Sequence, residues 1–171
     1  MKILPLDSLT IYLNKYIQDP LLISHDIFQE TIPINSLIYT SSLFFIPALY
    51  GFYNSINGLS IITTTTALFS INYWSNPESR IGFFLDVFFA RFSGITYFIY
   101  GYKYIIHPTI RYNGYFNTCL MITCYVFSNI LYNLGRPEWV KFHMGFHFFT
   151  TIGKLLVLSQ IRNNKLQLVG K

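Results

Sequence analysis

The sequence predicts an all-α protein of the membrane class: a multi-pass transmembrane helical bundle of about five spans. Charged residues make up only 11% of the 171 residues, against about 25% in a typical soluble domain. Hydrophobic residues make up 52% and are gathered into five runs that lack the polar face of a soluble amphipathic helix. We therefore expect a protein that lies in a membrane, in contact with membrane lipid.

The segment before these runs mixes apolar and polar residues. From Ser8 to Gln18, apolar side chains recur at helical spacing. Asp7 or Ser8 can cap the start, and Asp19-Pro20 ends the pattern. This pattern predicts an amphipathic helix at the membrane surface. The chain then divides into an N-terminal interfacial segment (1–35), a five-span membrane domain (36–158) and a polar C-terminal tail (159–171).

The five predicted spans are joined by short connections and cover 36–53, 58–74, 81–106, 115–134 and 140–158. Pro47 lies in the middle of the first span and predicts a kink there. The third span would be about 39 Å long as a helix, which implies tilt or an extension beyond the hydrocarbon. Basic residues fall equally on the two sides, so the positive-inside rule does not orient the protein.

Composition also bears on partners. The net charge is +5, but the basic residues occur singly, so we interpret them as membrane-flanking charge and expect no nucleic acid as a partner.

The small residues of the spans indicate packing. Cys119 and Cys124 are five positions apart and face different sides of a helix, so they do not form a metal-binding pair on their own. We interpret them as small packing residues. Ala90 and Gly94 permit close helix packing, which leaves a homo- or hetero-oligomer within the membrane open.

The last span carries three ionisable side chains, His143, His147 and Lys154, in an otherwise apolar stretch. At 100° per residue all three point the same way. Such groups are rare inside a bilayer and indicate either a functional site or a polar seam of the bundle. Lys154 lies roughly 20 Å from the entry of the span, so we expect its ammonium to snorkel to the far interface.

Five spans place two other polar residues in the leaflet of the histidines. Ser70 lies near the exit of the second span and Asp86 near the entry of the third, on the side where the fifth span begins. A carboxylate and two imidazoles can hold a divalent metal, whose bound water is a nucleophile at neutral pH. The predicted ligands are therefore His143, His147 and Asp86.

The same groups also fit a plainer role. Histidines near a membrane interface form hydrogen bonds with headgroups or neighbouring helices, and Asp86 can pair with Lys154 or a histidine to join helices. The sequence leaves both interpretations open.

Three short segments, in chain order, resemble the CREST superfamily of membrane hydrolases, which includes the alkaline ceramidases and the progestin and adiponectin receptor family. The segments are Ser70-Ile71-Asn72-Tyr73-Trp74, Leu85-Asp86 and His143-Met144-Gly145-Phe146-His147. In that family a histidine four residues after the serine joins the two histidines of HxxxH in holding zinc, while the serine and the aspartate support the activated water.

The resemblance implies zinc-dependent hydrolysis of a lipid amide or ester within the membrane. Zinc would be held by His143 and His147, with Asp86 as a further ligand, and Ser70 and Asp86 would be the catalytic residues. Trp74 stands where the family has its first zinc-binding histidine, and the family has seven spans rather than five. The competing interpretation, favoured by Trp74, is a non-catalytic structural, assembly or transport-accessory protein, so the sequence does not decide whether the protein is an enzyme.

Overall fold

A computed structural model describes residues 34–169, so the predicted N-terminal amphipathic helix lies outside the described residues. The described part is all-α, as predicted. Its helices are α1 (Ile34–Ser42), α2 (Phe45–Tyr53), α3 (Asn57–Ser75), α4 (Arg80–Tyr104), α5 (Pro108–Asn133) and α6 (Trp139–Val169).

The first predicted run is broken into two helices, as expected from Pro47. The ring of a proline clashes with the carbonyl four residues earlier and the residue has no N–H to donate. The break falls at this distance, where Leu43 and Phe44 separate α1 from α2. Their N–H groups donate to the carbonyls of Thr40 and Ser41, each at 3.2 Å. The predicted kink is therefore confirmed.

Two helices extend beyond the predicted runs. Helix α5 begins at Pro108 rather than at Tyr115, because proline is preorganised for the first position of a helix. Helix α6 continues past Leu158 to Val169, since the polar residues that follow are compatible with a helix. The apolar runs thus marked helix interiors more accurately than helix ends.

Helix α6 is central to the arrangement and packs against α1, α2, α4 and α5. Near its C-terminus, Asn164 Nδ2 donates to the carbonyl of Tyr104 at the end of α4, at 3.1 Å. Near its N-terminus, the Trp139 ring lies 5.9 Å from that of Trp74 at the end of α3. The connections 76–79 and 134–138 therefore lie at one end of the bundle, which we call the histidine end.

Two segments within residues 34–169 are long and apolar enough to cross a membrane. They are Asn35–Tyr53, with a mean hydropathy of 1.2, and Arg80–Tyr104, with 1.3. Only 17% of the second segment is buried inside the protein. The large apolar side chains exposed on α4 and α5 include Phe83, Phe84, Phe88, Phe92, Ile95, Phe98, Phe116, Ile122, Val126, Phe127 and Ile130.

Candidate functional site

Helix α6 brings His143 and His147 together at the histidine end. They are one helical turn apart, and their ring centroids lie 4.8 Å apart in an edge-to-face arrangement. His147 is 2% exposed, and His143 is partly buried. The adjacency predicted from the HxxxH spacing is confirmed.

Each imidazole is oriented by a hydroxyl from another helix. Thr40 Oγ1 on α1 lies 3.1 Å from His147 Nδ1, and Ser128 Oγ on α5 lies 3.3 Å from His143 Nδ1. Thr40 Oγ1 also donates to the carbonyl of Leu37 at 3.2 Å, so it accepts from His147 Nδ1–H. This assignment leaves the lone pair of His147 on Nε2, the nitrogen that would bind a metal when Nδ1–H is held by a partner.

Aromatic rings enclose the histidine pair. Phe44 packs against His147 with centroids 5.2 Å apart, while Trp74 and Trp139 pack against His143 at 5.1 and 5.9 Å. The indole N–H groups of both tryptophans are buried and have no hydrogen-bond partner in the described part of the chain. Position 74, where the resemblance would place a zinc-binding histidine, thus holds an indole, which cannot ligate a metal.

Ser70 and Asp86 form a second polar pair, between α3 and α4. The buried Ser70 hydroxyl lies 3.0 Å from Ser41 Oγ on α1 and lies near the Asp86 carboxyl group. Tyr73 also lies near that carboxyl group. The sequence placed Ser70 and Asp86 in the leaflet of the histidines, and their roles as catalytic residues stay a prediction.

The four predicted site residues therefore form two pairs. Ser70 lies beside Asp86, and His143 lies beside His147; Trp74, one turn after Ser70 on α3, packs against the histidine pair. Among residues 34–169, no three His, Cys, Asp or Glu side chains converge closely enough to hold a metal ion. Zinc binding by His143, His147 and Asp86 stays a prediction.

The expected snorkelling of Lys154 is wrong. Its side chain is 3% exposed, and Nζ lies 4.6 Å from the ring centroid of Phe44 and 5.3 Å from that of Tyr97. Nζ has no hydrogen-bond partner in the described part of the chain, Asp86 included. The side chain points into the bundle because its face of α6 packs against other helices, and the two rings stabilise the ammonium by cation–π contact.

Three contact residues of the site, Thr40, Ser41 and Ser128, were not predicted. They lie within apolar runs, Thr40 and Ser41 beside Ser42 and Ser128 beside Asn129, where Ser and Thr commonly bond to their own helix. Only the packing of α1 and α5 against their neighbours distinguishes them from hydroxyls of that ordinary kind. Comparison of the chain with protein-family models, curated proteins and solved structures found no match.

Proposed function

We propose that the chain is an integral membrane protein with about five passes, in which α1 and α2 together make the first pass and α3 to α6 make the others. The exposed surfaces of α4 and α5 support this proposal, because soluble monomers rarely expose apolar patches of more than a few hundred Å². The successive helices also run back and forth between the two ends of the bundle. The apolar side chains exposed on α4 and α5 would then contact lipid.

Within this bundle, the buried polar groups serve to fasten the helices, in a non-catalytic structural, assembly or transport-accessory role. The observation that carries this proposal is that hydrogen bonds between side chains join different helices throughout the interior. The four pairs are Ser41–Ser70 (α1–α3), Thr40–His147 (α1–α6), Ser128–His143 (α5–α6) and Thr63–Tyr97 (α3–α4, 2.8 Å). In membranes such bonds contribute about 0.6 kcal/mol on average, and up to about 1.7 kcal/mol.

Trp74 favours the same role. A catalytic zinc site has three protein ligands and an open position, whereas Trp74 packs its indole edge to face against His143. Phe44 closes the other side of the pair by packing against His147. Aromatic contacts of this kind contribute about 0.5–1.5 kcal/mol beyond their buried area. The arrangement thus stabilises the junction of α3 and α6 with the break between α1 and α2.

A CREST-like hydrolase is the second candidate, and the proximity of Ser70 to Asp86 favours it. In this proposal His143 and His147 hold zinc through Nε2, Asp86 supplies a further ligand, and Ser70 orients the attacked carbonyl or water. A zinc ion would supply a nucleophilic water at neutral pH. The substrate would be a lipid amide or ester, as the resemblance implies.

Zinc content of detergent-purified protein distinguishes the two candidates. If the groups only fasten helices, the wild type prepared with added zinc retains none, and His143→Ala and His147→Ala lower only its stability. About one equivalent of zinc, lost in both variants and retained in the exposed control His107→Ala, would instead support the hydrolase. Cleavage of a fluorogenic lipid amide or ester by the same samples then tests activity.

Trp74→His sharpens this test. The substitution places a third imidazole beside His143, so a site that lacks only this ligand would gain zinc toward one equivalent. If Asp86 already completes the site, the wild type binds zinc without the substitution. No zinc in either protein would refute the metal-binding candidate.

The number of passes is tested by labelling single cysteines in cells, in a background of Cys119→Ser and Cys124→Ser. With the proposed topology, Asn76→Cys and Arg136→Cys react with an impermeant maleimide from one side of the membrane, and Ser55→Cys reacts from the other side. Labelling of positions 55 and 76 from the same side would contradict the proposed passes.

A further inference from the structure

A cleft opens between α4 and α5 and has α6 as its floor. Its volume is about 150 Å³, and an apolar cavity of about that size holds a benzene-sized ligand. Glycines from all three helices line it, namely Gly94, Gly101, Gly114 and Gly153. Because glycine has no side chain, a ligand can approach the helix backbones closely at these positions, and the volume accommodates part of an unbranched hydrocarbon chain.

The charged residues that line this cleft are both basic. They are Lys154 from α6 and Arg111 from the first turn of α5. Arg111 Nε donates to the carbonyl of Ile105 at 3.0 Å, which fixes the guanidinium beside the cleft. The Lys154 side chain is only 3% exposed, and its Nζ has no hydrogen-bond partner among residues 34–169.

A buried ammonium without an anion is costly, because burial removes its hydration. The two rings beside Lys154 Nζ replace only part of that hydration. Tyr97 and Lys154 both line the cleft, but Nζ itself is buried between the rings of Phe44 and Tyr97. The ammonium therefore lies behind the Tyr97 side of the cleft wall. The flexible four-carbon stem of lysine allows Nζ to turn toward a ligand there.

From the cleft and its buried lysine, we infer that the protein binds a long-chain fatty acid between α4 and α5. Part of the hydrocarbon chain lies along the glycine-lined walls, and the carboxylate pairs with Lys154. The remainder of the chain extends through the open side of the cleft toward lipid. This binding goes beyond the fastening of helices and does not require the histidine pair.

Displacement of a fluorescent fatty acid, cis-parinaric acid, from the purified full-length protein in micelles tests this inference. Oleate and oleyl alcohol have the same chain and differ in the head group. On the wild type, we expect oleate to compete at a concentration at least about tenfold lower than the alcohol, since pairing of opposite charges in an apolar site is strong. Equal competition by the two compounds would overturn the inference.

Variants assign the effect to the cleft. Lys154→Met keeps the length of the side chain and removes its charge, so it should abolish the preference for oleate. The matched control Lys103→Met changes an exposed lysine that is outside the cleft lining and should retain the preference. Retention of the preference by Lys154→Met would refute the pairing.

A second variant covers the case in which Lys154→Met does not fold. A Cβ at Gly94 would meet no atom within 4 Å, so Gly94→Leu fills the cleft without a clash at that atom and should abolish displaceable binding of cis-parinaric acid. Unchanged binding by this variant would place the ligand elsewhere. Stronger competition by lysophosphatidate than by oleate would overturn the assignment of a carboxylate head group in favour of a phosphate.

Discussion

Removing the hydroxyl of Thr40 tests whether the histidine pair holds the helices together. Thr40→Val keeps the shape of the side chain but removes the 3.1 Å contact with His147 Nδ1. Because His147 is 2% exposed, its Nδ1–H would be left buried without a partner. A buried donor that loses its acceptor costs about 1–3 kcal/mol, whereas interhelical bonds in membranes contribute up to about 1.7 kcal/mol. We expect a loss of about 1–2 kcal/mol in the free energy of unfolding.

The assay is unfolding of the purified protein in one detergent, followed by near-ultraviolet circular dichroism. Thr64→Val is the matched control, since Thr64 Oγ1 donates at 2.9 Å to the carbonyl of Ser60 within its own helix. A double-mutant cycle with His147→Leu then isolates the coupling of Thr40 to His147. Equal stability of Thr40→Val and Thr64→Val, with no coupling in the cycle, would refute the fastening role of this bond.

Two glycine substitutions test the packing of the helices and the turn that precedes α6. A Cβ at Gly51 would overlap Ser60 Oγ across the contact between α2 and α3, so Gly51→Ala should lower the unfolding free energy by about 1–3 kcal/mol. Gly58→Ala is its control, because a Cβ there meets no atom within 4 Å; equal melting temperatures would contradict the packing. Gly135 has φ +64°, so Gly135→Ala forces alanine into the left-handed region and should cost about 1–2 kcal/mol in the same assay. An unchanged melting temperature would show that this turn does not need glycine.

Hydropathy and proline chemistry predicted the helix interiors but not all their ends. The break between α1 and α2 follows from the geometry of Pro47, which acts on the local backbone alone. The start of α5 at Pro108 and the end of α6 at Val169 were missed. The reason is that an apolar run ends where the chain leaves an apolar environment, which need not be where the helix ends. A helix ends where its backbone hydrogen bonds stop, and polar residues can continue those bonds beyond the run.

Helical spacing predicted that His143 and His147 are adjacent, because they are four positions apart. The depth argument placed Ser70 and Asp86 in the same leaflet as the histidines, but it did not predict that the four residues form two pairs, because depth does not fix which faces of the helices meet. The hydroxyls of Thr40 and Ser128 were missed, since their partners lie 107 and 15 positions away in the sequence. The snorkelling of Lys154 was wrongly predicted for a related reason: depth alone does not show that neighbouring helices cover that face of α6.

Position 74 lies one helical turn after Ser70 on α3 and also contacts the histidine pair. The rise between the two residues is about 6 Å, so they share one face of the helix. An indole there packs against His143 and Trp139 but leaves its own buried N–H without a partner in the described part of the chain. Packing alone would not require that N–H, whereas an imidazole at the same place would add a nitrogen ligand beside the histidines. The two proposals for this site differ most in what they require at position 74, and for that reason Trp74→His is the most informative single substitution.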